Sequence, residues 1–270
     1  MRRSVILTAK AIYVIIVREF KRFFRQRGRL LSSLARPLLW LFIVGSGMSR
    51  IVQEREISSY HQFLFPGVLG LVVLFSSITS ALSTVYDREF GAMRLMLVAP
   101  ISRLTIVVGK IISSTVLSVF QGTLLLIWLP VVGFHVGWKQ LLMLILFLII
   151  ASLAISALGM LLATRIDSLE NFAAIMNFVI FPMFFLSGGL YPIKRLPEAL
   201  RATIYLNPLT YGIDLFKSVL LGQTAESSAA AEFPVIVDVG LLLIFTLVTL
   251  FLATIWFDKE AKLMRLSNRR

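Results

Sequence analysis

Residues 63–85 read FLFPGVLGLVVLFSSITSALSTV, a run without one Asp, Glu, Lys, Arg or His. A helix rising about 1.5 Å per residue needs about 20 such residues to cross a hydrocarbon core about 30 Å thick. Five further stretches qualify: Leu34 to Val52, Ile106 to Phe134, Leu141 to Ala163, Phe172 to Leu190 and Pro234 to Phe257. Of the 270 residues 58% are hydrophobic and the mean hydropathy is +0.88, where an ordinary globular domain holds roughly 45–50% apolar residues. Water is not the main solvent of this chain. The predicted fold is an all-α membrane domain of six transmembrane helices over 34–257, preceded by residues 1–33 and followed by a basic tail, 258–270.

The net charge of +13 would suit a nucleic-acid partner, but no basic DNA-binding domain also carries several membrane-length apolar runs. The charge instead sets topology. With the N-terminus in the cytoplasm, 20 of the 27 Lys and Arg residues fall on the cytoplasmic side, as the positive-inside rule requires. The apolar run Ala11 to Val17 is short, ends in Arg18 and Glu19, and has no cleavage site, so the N-terminus is expected to be retained.

Two segments depart from simple spans. In residues 8–29, Ile12, Ile16, Phe20 and Phe23 share one helical sector while Arg18, Arg22, Arg25 and Arg29 share the opposite one. That pattern predicts an amphipathic helix in the cytoplasmic interface, either anchored to headgroups or reaching toward a partner protein. Ala202 to Leu221 is nearly long enough to span, yet contains Asn207, Pro208, Asp214 and Lys217. It is expected to be an external re-entrant or interfacial element between helices 5 and 6.

Several chemistries are excluded. The absence of cysteine removes disulfides, thioether haem attachment and thiolate metal sites. The middles of the spans carry no ionisable residue, Arg36, Lys110 and Asp238 lying near their ends, which argues against ion coupling. No Gly-x-x-x-x-Gly-Lys-Ser/Thr loop can hold ATP phosphates. The LSGG at Leu186 to Gly189 closes an apolar span and reads as a Gly-rich helix end. With no Gly-x-Ser-x-Gly elbow, and with His61 and His135 both in external connections, intramembrane proteolysis is poorly supported.

What remains is the second-to-third connection, YDREFGAMRLMLVAPISR from Tyr86 to Arg103. Asp87 and Glu89 stand near the start of a short helix, Met93, Met96 and Leu97 recur at helical spacing, and Pro100 ends it. Such an element suits either a solvated connection or a lever for another protein's push. With DREFG leading to LVAPISR, the segment resembles the coupling helix of the ABC-2 type exporter permeases. FLSGGLYP from Phe185 to Pro192, Leu196 and Pro197, and LNPLTYGID from Leu206 to Asp214 resemble that family's external motif, here Ser187, Gly188, Pro192, Asn207, Pro208 and Tyr211. Lys194 and Arg195 depart from the acidic or neutral residues common in relatives.

The resemblance implies a permease subunit of the bacterial inner membrane, with cytoplasmic termini, that binds no cofactor itself. It implies two copies of the chain, each above a separate ABC ATPase subunit that holds ATP and Mg. Asp87, Arg88, Glu89, Gly91 and Pro100 would form the ATPase-coupling element, with Arg88 pairing either an acidic rim of the ATPase or Asp87. The cargo expected is hydrophobic, amphipathic or lipid-linked. Ser76, Thr79, Ser80 and Ser83 form a small polar stripe that either lines a path or packs helices. Phe178, Phe181 and Phe185 recur at helical spacing and face either substrate, lipid or a neighbouring helix. A membrane sensor or scaffold using the same fold without transport is the alternative.

Overall fold

The computed structural model describes residues 2–26, 28, 35, 37–49, 60–99, 101–193, 197–222 and 231–267. Among them the chain is all-helical, without a strand. The helices are α1 (Arg2–Arg25), α2 (Pro37–Gly47), α3 (Tyr60–Glu89), α4 (Ala92–Val98), α5 (Arg103–Leu126), α6 (Trp138–Ala163), α7 (Leu169–Phe185), α8 (Glu198–Tyr205), α9 (Pro208–Leu220) and α10 (Val235–Ser267). A single turn, Leu129–Val132, follows α5.

Among the described residues four helices are long and apolar enough to cross a membrane: α3, α5, α6 and the part of α10 from Val235 to Asp258. The first and fifth stretches read from the sequence emerge as the shorter apolar helices α2 and α7. Arg36 and both ends of the first stretch lie outside the described residues, as do Pro100, Lys194 and Arg195. In α2 the backbone widens to a π turn at Trp40–Val44, with the Gly45 N–H donating to the carbonyl of Trp40.

α3 is the central post. It packs against α5, α6, α7 and α9, and most of its side chains from Phe63 to Val85 are buried. Polar side chains join α3, α5 and α6 to one another. The Gln121 amide donates to Ser76 Oγ at 2.8 Å, Ser114 Oγ to the Ser77 carbonyl at 3.1 Å, and Ser152 Oγ to Ser118 Oγ at 2.9 Å. In lipid the apolar surfaces of helices gain little by leaving the solvent, so interhelical hydrogen bonds and small-residue contacts hold the bundle. At Gly67 a Cβ would stand 2.2 Å from the Gly189 carbonyl oxygen, so only glycine lets α3 and the loop after α7 approach this closely.

α1 packs lengthwise on α5. Ile15, Glu19 and Phe23 are its buried stripe, and Ile15 fills the gap over Gly109 of α5. The rings of Phe20 and Phe24 lie 5.7 and 5.5 Å from Phe120. Of the predicted apolar sector Phe23 is fully buried and Ile12, Ile16 and Phe20 are partly buried; the buried face is turned toward Glu19, whose charge meets Lys110 of α5.

Candidate functional site

Two groups of buried polar residues stand at opposite ends of α3. At the Glu89 end, Lys110 of α5 donates to Glu19 at 2.8 Å, to Asp87 at 2.5 Å and to Ser83 Oγ at 3.2 Å. Arg18 bridges Glu19, at 2.9 Å, and Asp87. Arg22 reaches within 3.7 Å of Asp87 and stacks its guanidinium 3.9 Å over Tyr86. The side chains of Lys110, Glu19 and Asp87 are only 2%, 5% and 5% exposed. Two carboxylates thus face two close cations, and the buried charge is balanced.

The burial of Glu19 alone would push its carboxyl up, but Lys110 and Arg18 outweigh it and hold it at about 2. A lowered carboxyl stabilises the fold above the ordinary carboxylate range and loses that contribution as pH falls toward about 2. The junction is therefore intact through neutral pH.

Asp87 and Glu89, expected at the start of the short helix, instead close the long helix α3. The reason is Lys110 and Arg18, which draw Asp87 inward. The Arg88 guanidinium donates to the Ile166 carbonyl at 2.7 Å and lies 3.4 Å from Asp167. Glu89 accepts the Leu169 N–H at 2.9 Å, at the first turn of α7. Three consecutive residues thus tie the end of α3 to α1, to α5 and to the α6–α7 connection.

The chain then turns at Gly91, whose φ of +78° is the left-handed conformation that favours glycine. No atom lies within 4 Å of where a Gly91 side chain would begin. In α4, Met93 is buried, and Met96 and Leu97 pack on the same cluster of α5, α6 and α10 residues, as the helical spacing predicted. Leu95 and Val98, three residues apart and so on one face, are 78% and 85% exposed, and Phe90 is 62% exposed. Ala99 is extended, as a residue before proline prefers. Ser102 then caps α5 by accepting the Thr105 N–H at 3.1 Å.

At the Tyr60 end, the second motif is a set of helix caps. The Asn207 amide donates to the Met183 and Leu186 carbonyls, at 2.6 and 2.7 Å, closing α7, while its oxygen accepts the Leu209 N–H at 3.0 Å and opens α9. Pro208 occupies the first turn of α9, where no N–H is needed. Thr210 and Tyr211 donate to the Ile204 and Tyr205 carbonyls at the end of α8. Ser187 donates to the Phe184 carbonyl at 2.5 Å. Gly188 turns at φ +70°, and its carbonyl accepts Lys217 Nζ at 2.8 Å. Pro192 lies in the loop beyond. The expected re-entrant segment is thus two helices, α8 and a buried α9 packed against α3, α6 and α10.

The stripe on α3 is divided. Ser76 and Ser83 bond across to α5, whereas Thr79 donates to the carbonyl of Phe75 in its own helix at 2.5 Å, and Ser80 is half-buried. Phe178 is 80% exposed; Phe181 meets Phe75 at 6.3 Å and Phe185 meets Trp40 at 6.4 Å. A groove of about 370 Å³, lined by Leu162, Val179, Met183, Leu206 and Phe245, opens beside them. Glu19 and Lys110, the partners that fix Asp87, were not legible as a pair, since 91 residues separate them.

The family model described as ABC-2 type transporter matches residues 10–221. The chain is 30% identical over 208 residues to transport permease ycf38 of Cyanophora paradoxa, covering 75% of this chain and 71% of that one. It is 29% identical over 231 residues to nodulation protein J of Rhizobium leguminosarum bv. viciae, covering 83% and 85%. It is 26% identical over 237 residues to nodulation protein J of Bradyrhizobium diazoefficiens, covering 86% of each chain.

Proposed function

The chain belongs to the ABC-2 type transporter family, and from that premise we propose that it is the permease subunit of an ATP-driven exporter. Two copies form the pore, and each receives force from a separate ATPase subunit that binds ATP and Mg. The single observation that carries this reading is the junction at the end of α3. Asp87, Arg88 and Glu89 fasten it to three other parts of the bundle, while α4 just beyond presents Leu95 and Val98 outward. A push on α4 is then delivered to α1, α3, α5 and α7 together. An apolar pair left exposed on a short amphipathic helix fits a protein partner's cleft better than water.

On this reading the Glu89 end of α3 is cytoplasmic and the Tyr60 end external, all six apolar stretches cross, and both termini lie in the cytoplasm of a bacterium. The cargo is hydrophobic, amphipathic or lipid-linked, and the exposed Phe178 and the groove beside α7 offer it an apolar surface. Topology is tested with single cysteines and an impermeant thiol reagent applied to intact cells. Cysteines at Ser58 and Ser227 are expected to react and one at Ser267 is not; labelling at Ser267 from outside overturns the orientation.

Energy use is tested in lipid vesicles. The purified chain alone is expected to hydrolyse no ATP above background, since it has no phosphate-binding loop. With its ATPase present, ATP should drive one-way movement of a fluorescent lipid-linked sugar. ATP hydrolysis without directional movement, across a panel of amphipathic probes, would instead point to a sensor or scaffold.

A further inference from the structure

At the Tyr60 end of α3, α9 and α10 meet through two carboxyl groups, Asp214 and Asp238. Asp214 is nearly fully buried, and its oxygens accept the N–H groups of Glu232, at 2.9 and 3.0 Å, and Phe233, at 2.9 Å. Asp238 is wholly buried and close enough to Asp214 for the two carboxyl groups to act on one another, and among the described residues neither of its oxygens meets a donor. Among the described residues the buried cation nearby is Lys217, which directs its ammonium at the Gly188 carbonyl and lies 5.2 Å from the centre of the Phe63 ring. Among the described residues the other titratable groups around them are Tyr211 on α9, whose hydroxyl is committed to the Tyr205 carbonyl, Tyr205 beside it at the end of α8, and Glu232 ahead of α10, near Lys217.

Two ionised carboxylates are acceptors only and cannot hydrogen-bond one another. One cation also cannot balance two buried anions, and an uncompensated buried charge is costly. One added proton resolves both conflicts, because a neutral Asp238 can donate to Asp214, and Lys217 then balances Asp214 alone. We infer that Asp214 and Asp238 form a binding site for a single proton, held on Asp238 and clasping α9 to α10. Its location on the external side rests on the orientation proposed above; the proton site itself does not.

Raising the pH far enough removes this proton. Loss of the proton sets two negative charges face to face and loosens α9 from α10.

The test is infrared spectroscopy of the full chain in lipid, in water and in deuterium oxide, beside thermal unfolding across pH. Wild type is expected to show at neutral pH the C=O band of a protonated buried carboxylic acid, shifted in deuterium oxide, and to lose thermal stability toward alkaline pH. Asp238→Asn keeps a neutral donor to Asp214, so it should remain folded, lose the band and lose the alkaline decline. Asp214→Asn should also abolish the band although Asp238 remains, because Asp238 must then carry the charge that balances Lys217. A neutral-pH spectrum without the band overturns the proposal, and so does a band unchanged in Asp238→Asn. A band that appears only when sodium and potassium are removed would mean that a metal cation occupies the pair, and overturns it equally.

Discussion

Replacing Lys110 by methionine is expected to destabilise the folded chain by about 3–5 kcal/mol, the typical effect of removing one partner from a buried ion pair. Methionine is close to lysine in length, so the loss is one of charge and hydrogen bonding rather than of volume. It strands Glu19 and Asp87, each about 95% removed from solvent and each bonded to the missing ammonium. Arg18 still touches both, but from the open side of the site, with 39% of its side chain exposed. The variant should accumulate poorly in membranes and unfold well below wild type. Adding Glu19→Gln and Asp87→Asn to Lys110→Met removes the stranded charges, and should recover most of the stability. That recovery separates a charge effect from a packing defect. A Lys110→Met chain as stable as wild type would mean that the junction is not a buried charge network.

A second large effect is expected at Gly91. Its φ of +78° gives any L side chain a strain of about 1–2 kcal/mol, so Gly91→Ala should shift α4 slightly and weaken export several-fold. Gly91→Trp carries the same strain and adds an indole in space that no atom of this chain fills, where a partner's surface would close. Export should fall at least about 100-fold, with insertion unchanged because the site lies outside the bundle core. Glu89→Ala removes the acceptor for the Leu169 N–H and frees the start of α7; its effect should fall between the two glycine variants. Export assays at matched membrane levels check the order. Normal export by both Gly91→Trp and Glu89→Ala would displace the coupling element from this loop.

The long apolar runs were legible because lipid leaves the backbone little choice: a span must be helical, so length and composition suffice for α3, α5, α6 and α10. The fifth stretch was read too long, since Phe172 to Leu190 ends as a helix at Phe185, where Asn207 caps the α7 carbonyls from 21 and 24 residues away. No local signal carries such a cap. The motif around Gly91 was visible as sequence, whereas the direction of Asp87 was not, because its partners Arg18, Glu19 and Lys110 come from distant helices. One clue existed. Glu19 stands four residues from both Ile15 and Phe23, an acid on the apolar face of a basic helix, and such a residue needs a buried cation. Asp214 and Lys217 were likewise noticed only as obstacles to a span, and Asp238 only as lying near the end of one, not as one group.

The most direct test of the account places a photo-crosslinking amino acid at Leu95, and in a control at Tyr13, which is 67% exposed on α1, and irradiates native membranes. If α4 receives the push of an ATPase, Leu95 should form a covalent adduct with a protein that carries a phosphate-binding loop, identified by mass spectrometry, and the adduct should vanish in the Gly91→Trp background. Adducts from Leu95 to lipid alone, in membranes where the same ATPase is captured through Tyr13, would contradict it.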